Sequence, residues 1–147
     1  MRQPCVPNTL DVRVNCDITQ LPGLMAQIIA FAKQHAWSES DSLQVQLLVE
    51  ELLVNAMTHG AVNNSNAWAR LIICNATEGI HLEVSDNGIP FNPLTLAAPD
   101  IDLDLDAREI GGLGIHFVRQ LGDDLHYERT QCLNEDINKL IIFKKWA

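Results

Sequence analysis

Apolar side chains recur at two spacings along this chain, and each change of spacing marks an element boundary. "TLDVRVN", residues 9–15, alternates apolar with polar and predicts an edge-type strand behind a Pro-bearing tail of residues 1–8. From about Ile18 to Ala36 the apolar residues fall at helical spacing, with Pro22 and Gly23 in or just before the first turn. "SESDSLQVQLLVEELLVNAMTHG", residues 38–60, opens on capping residues and closes on a glycine, which predicts a second, longer helix. "AWARLIICNA" and "GIHLEVSD" alternate again on either side of "TEG", the pattern of an antiparallel hairpin.

Residues 89 to 110 carry three prolines, many aspartates and no period. A loop that long inside a compact domain is usually functional or mobile. "GGLGIHFVRQL" then predicts a short third helix to about Leu121, and "DLHYERT" and "NKLIIFKKW" supply two final strands. The expected fold is α+β: a two-layer sandwich with three helices on one face of a mixed, mostly antiparallel sheet, forming a single domain over residues 9–147.

The second helix has an uneven wheel. At about 100° per residue, Gln44, Glu51, Asn55, Thr58 and His59 share one narrow arc. Val45, Val49, Leu52, Leu53 and Ala56 share a second arc, and Leu43, Leu47, Val54 and Met57 a third. The polar stripe reads either as a solvent face or as the lining of a cleft between two apolar flanks. In the second case Glu51 and Asn55 present a carboxylate and a carboxamide side by side, suited to accepting a proton and to ligating a hard cation such as Mg²⁺.

Composition narrows the choice of partner. A net charge of −9 argues against a nucleic-acid binder or an anionic membrane surface. Cys5, Cys16, Cys74 and Cys132 show no C-x-x-C pair and no zinc spacing, so free thiols in a reducing, cytoplasmic setting are expected. No apolar run approaches the length of a membrane span. There is no G-x-x-x-x-G-K-[ST], and no lysine between Lys33 and Lys139, which excludes a P-loop. The glycines at 111, 112 and 114, set before a helix, nonetheless suit an anion held by backbone N–H groups.

Three motifs occur in order: E-x-x-x-N on a helix, D-x-G after a strand, and G-G-x-G opening a helix. In "EELLVNAMTHG", "DNGIPFNP" and "GGLGIHFVRQLGD" the chain resembles the GHKL superfamily of ATP-binding domains, the Bergerat fold, over roughly residues 9 to 145. Within it the chain is most similar to the small bacterial anti-sigma-factor serine kinases. The resemblance implies Glu51 as general base, Asn55 as the residue holding Mg²⁺, and Asp86 as acceptor for the adenine amino group. It also implies close backbone approach at Gly88, and a phosphate cradle at Gly112, Leu113 and Gly114 with Arg108 nearby. ATP and Mg²⁺ are then the expected cofactors, and residues 92–110 the ATP lid. Pro90 stands where the family often has a second glycine, and the lid is acidic, with Arg108 its one cation.

Three functions fit these residues. The first is an ATP-dependent serine kinase acting on a small anti-sigma-factor antagonist, sequestering a sigma factor and forming a homodimer. The second is a non-catalytic, nucleotide-dependent protein-binding module. The third, a histidine-kinase catalytic domain, is disfavoured because about 17 residues precede the first helix.

Overall fold

The computed structural model describes residues 8–60, 65–95 and 118–147. Five strands, β1 (Thr9–Asn15), β2 (Trp68–Asn75), β3 (Gly79–Asp86), β4 (Asp124–Cys132) and β5 (Glu135–Lys145), form one sheet in the order β1-β2-β3-β5-β4. Every pairing among the described residues is antiparallel, so the mixed character expected of the sheet is absent from them. Helices α1 (Leu21–Gln34) and α2 (Glu39–Asn55) pack on one face, and residues 118–121 are the described end of the third helix. No helix among the described residues is long and apolar enough to cross a membrane.

The core forms where α1 and α2 meet alternate residues of the strands. Leu24, Ile28 and Phe31 of α1 and Val45, Val49 and Leu53 of α2 lie three or four residues apart, and so share a face. They close over Leu71, Ile73, Ile80, Leu82 and Ile142 of the sheet. Ser38 caps α2, its hydroxyl oxygen accepting the Asp41 N–H at 3.0 Å. Asp41 is buried, as is Lys144 of β5, and their side chains meet at 2.7 Å. The helix start is thus fastened to the sheet.

Two expectations for α2 are corrected. Its regular winding stops at Asn55, and Ala56–Gly60 form a single π-helical turn. That wider turn breaks the 100° register, so Thr58 does not continue the Glu51–Asn55 line and is exposed. The third arc is not a second buried flank either: Leu43 is 56 % and Leu47 51 % exposed.

The last hairpin is longer and tighter than its sequence suggests. β4 and β5 run on to Cys132 and Glu135, joined only by Leu133 and Asn134, whose φ values are 51° and 66°. Two consecutive left-handed residues are the geometry of a type I′ turn. A leucine rarely occupies such a position, which is why the turn was not expected.

Candidate functional site

Sheet register builds the site. β3 ends at Asp86, which lies directly opposite Asn138 of β5, and Asn138 in turn lies opposite Arg129 of β4. Beyond Asp86 the chain turns back on itself: the Asp86 carboxylate accepts the Gly88 N–H on Oδ1 at 2.9 Å, the Asx geometry that Asp-x-Gly favours. The Arg129 guanidinium donates to the Gly88 carbonyl at 2.9 Å and holds the turn from its other side. On the remote side of the sheet, Asn87 accepts the Trp68 backbone N–H at 2.8 Å, and the Trp68 indole donates to Glu135 at 2.9 Å. The middle residue of the D-N-G triplet therefore faces away from the pocket.

Between Asp86 and the end of α2 lies a recess of about 420 Å³, counted with its open mouth. Leu52, Ala56, Val84 and Leu140 give it apolar walls, and Phe91 and Pro93 form its lip. Its polar atoms come from Asn55, Asp86, Tyr127 and Asn138. Apolar walls with a few convergent polar groups are the usual build of a small-ligand site. The lip is tied to the third helix by Arg119, which donates to the Leu94 carbonyl.

Asn55 is 7 % exposed, and its amide Nδ2 donates to Glu51 Oε1 at 3.3 Å. That orientation leaves the Asn55 carbonyl oxygen as the ligand a hard cation would meet. Among the described residues no group of three acidic, histidine or cysteine side chains could hold a metal unaided. The donor set fits a cation that arrives with phosphate oxygens of its own. Burial raises the Glu51 carboxyl above its ordinary value; the Asn55 hydrogen bond opposes this, and the charge of Glu50 adds to it. Burial likewise raises Asp86, against the hydrogen bonds from Asn138 and Gly88 and the charge of Arg129. Glu51 lines a second recess, with Leu47, Val54, Val118 and Leu121. The hydrogen-bonded pair thus faces two openings, Asn55 the first and Glu51 the second.

The structure brings Asn55 and Asp86 together around one recess, ties Gly88 to Asp86, and places Glu51 beside Asn55. Arg108, Gly112, Leu113 and Gly114, with most of the expected lid, lie outside the described residues. Tyr127, Arg129 and Asn138 were missed. Asn138 left a signal, since it is a polar residue on the buried row that Leu140 and Ile142 continue. Trp37 and Trp146 pack edge to face at 5.7 Å, while Trp68 lies under Arg13, so the tryptophans form no stacking platform.

A helix layer over an antiparallel sheet, with its pocket between the E-x-x-x-N helix and the D-x-G turn, defines a GHKL ATP-binding domain. The chain belongs to the histidine kinase-like ATPase domain family, whose model matches residues 14–142, and is thus an ATP-binding, kinase-like module. No curated protein matches it. Among solved structures it is similar to the histidine kinase domain from the Erythrobacter litoralis EL346 blue-light activated histidine kinase. That match has 18 % identity and a TM-score of 0.47, covering 84 % of this chain and 59 % of that one. A second structure of the Erythrobacter litoralis EL346 kinase matches at 20 % identity and a TM-score of 0.44, covering 72 % of this chain and 31 % of that one. The chain therefore spans less than two thirds of the length of either neighbour.

Proposed function

We propose that the domain is an ATP-dependent serine-protein kinase that transfers the γ-phosphate to a small antagonist protein in a partner-switching system, working as a homodimer that also sequesters a sigma factor. The observation that carries this reading is the Glu51–Asn55 pair, set between the Asp86 recess and a second opening through which an acceptor hydroxyl can approach. Asp86 accepts a hydrogen bond from the adenine amino group, and Gly88 lets the backbone pass close to the base. Asn55 offers its carbonyl oxygen to Mg²⁺, which when bound offsets the negative charge of the phosphates. Gly112, Leu113, Gly114 and Arg108 complete the phosphate cradle.

Glu51 is the general base. Its burial makes it a stronger proton acceptor than an exposed glutamate. It takes the proton of the acceptor hydroxyl as that oxygen bonds to the γ-phosphorus and the bond to the β-phosphate oxygen breaks, leaving phosphoserine and ADP. Phosphoryl transfer needs mainly positioning and charge stabilisation, so a single carboxylate beside a cation ligand suffices.

The test is transfer from γ-labelled MgATP to the small antagonist proteins of the same organism, by wild type and by Glu51→Gln. Wild type should give label that survives acid and is lost in base, as a serine ester does, and Glu51→Gln should give none. Acid-labile label would mark a histidine acceptor and refute the serine assignment. Nucleotide binding without label on any acceptor would favour the non-catalytic binding module.

A further inference from the structure

Asn138 sits where a strand facing the core should carry an apolar side chain, and it is 5 % exposed. All of its hydrogen-bonding capacity is used. Its Nδ2 donates to Asp86 Oδ1 at 3.0 Å and to the Ile89 carbonyl at 2.8 Å. Its Oδ1 accepts the Phe91 N–H at 3.1 Å and the Tyr127 hydroxyl at 2.6 Å. A backbone carbonyl on one side and a backbone N–H on the other fix which end of the amide is which. The Tyr127 hydroxyl must therefore be the donor in its bond to Asn138.

The consequence falls on Asp86. Its Oδ1 takes two donors, the Gly88 N–H and Asn138 Nδ2, which fill that oxygen's in-plane lone pairs. Its Oδ2 has no protein partner among the described residues. A free carboxylate reads guanine well, because two oxygens can accept the N1–H and the 2-amino group together, as they accept the paired donors of an arginine. Here one of those two oxygens is already occupied.

We propose that Asn138, oriented by Tyr127, is the specificity-determining residue of this pocket: by occupying Asp86 Oδ1 it leaves one acceptor, enough for the single amino contact of adenine and too few for the paired contact of guanine. The inference rests on reading the recess as the nucleobase site. Asn138 touches no base itself. It is a positioning residue that acts through Asp86.

Calorimetry with MgATP, MgGTP and the magnesium complex of inosine triphosphate, on wild type, Asn138→Ala and Tyr127→Phe, tests it. Wild type should prefer ATP to GTP by ~100-fold, the discrimination of a site built around a specific hydrogen bond. Asn138→Ala frees one lone pair on Oδ1, so the ATP-to-GTP ratio should fall by ~10-fold or more. Inosine triphosphate, which has the N1–H but lacks the 2-amino group, should not share the gain of GTP on Asn138→Ala. Tyr127→Phe leaves Asn138 its backbone contacts and should move the ratio the same way by a few-fold, which keeps the test open if Asn138→Ala fails to fold. A folded variant that weakens all three nucleotides by one factor, with the ratio unchanged, would show that Asn138 only supports the fold and would overturn the proposal. So would a wild type that binds GTP as tightly as ATP. If wild type binds no nucleotide, the nucleobase reading of the recess fails and the proposal falls with it; ATP binding with an unmoved ratio refutes only the role of Asn138.

Discussion

The fastening of α2 to the sheet should be worth several kcal/mol, and Asp41→Asn measures it. Asp41 is 3 % and Lys144 4 % exposed, so the pair at 2.7 Å is shielded from solvent and salt. Asp41 also accepts the Ser38 hydroxyl at 2.9 Å and the Ala147 N–H at 3.2 Å. Replacing the carboxylate by an amide keeps the volume but removes the counter-charge, leaving the buried Lys144 ammonium with neutral acceptors alone, among them the Lys145 carbonyl at 3.2 Å. Removing one member of a buried pair costs ~3–5 kcal/mol. For a chain of this length that is a fall in Tm of roughly 6–20 °C, at about 2–4 °C per kcal/mol. Lys144→Met should cost a similar amount, and the double variant should recover much of the loss, because no uncompensated charge is left. The assay is thermal and urea unfolding of the four proteins as a double-mutant cycle. Burial alone would raise the Asp41 carboxyl, but its hydrogen bonds from Lys144, Ser38 and the Ala147 N–H outweigh that, and it is held below its ordinary 3.8. A depressed carboxylate contributes stability that is complete above the ordinary value and is lost as pH falls through the depressed one. The gap between wild type and Asp41→Asn should therefore be full at pH 7 and narrow only below about pH 4. A coupling energy under about 1 kcal/mol, the size of an exposed pair, would refute the shielded-pair reasoning.

Asp86 should couple nucleotide affinity to pH with the opposite sign to stability. Burial raises its carboxyl, so the proton it gains on acidification settles on Oδ2, because Oδ1 is already filled by two donors. ATP affinity should fall as pH drops through that raised value, while the free protein gains stability from losing a buried charge. Asp86→Asn should weaken ATP by about 10- to 100-fold and flatten the profile, and an unchanged affinity would count against the adenine contact. Glu51→Ala should abolish transfer yet leave the calorimetric ATP affinity within about two-fold, the mark of a group used only in the chemical step; loss of binding together with activity would remove its role as base. Leu133→Gly should raise stability in urea by ~1 kcal/mol by relieving a left-handed leucine at φ 51°, and a loss instead would show that its exposed side chain makes contacts that matter.

Periodicity made most of this fold legible, because β1 and β3 and the bodies of both helices bury one face each and so imprint their period on the chain. What stayed hidden depends on partners distant in sequence. The π-helical turn after Asn55 leaves no mark in a wheel drawn at constant pitch. The exposure of Leu43 and Leu47 is set by what packs beside α2, which composition does not record. Asp86 and Gly88 were readable because a strand ending in Asp-Asn-Gly is a local motif. Asn138 lies 52 positions from the carboxylate it holds, so only the pairing of β3 with β5 reveals what it does.

The pairing of β4 with β5 explains how the turn between them governs the polarity of the recess. Leu133 and Asn134 fix the register of β4 on β5, and this register sets Arg129 opposite Asn138 and Tyr127 opposite Leu140. Side chains alternate between faces along a strand, so a slip of one residue would carry Tyr127 and Arg129 to the far side of the sheet. Asn138 Oδ1 would lose a donor, and the Gly88 carbonyl would lose the guanidinium that holds it. A two-residue turn tolerates no such slip, since its two left-handed residues close the hairpin in one way only. The strain of placing a leucine at φ 51° is thus borne far from the recess, at the point that fixes which polar atoms the recess receives.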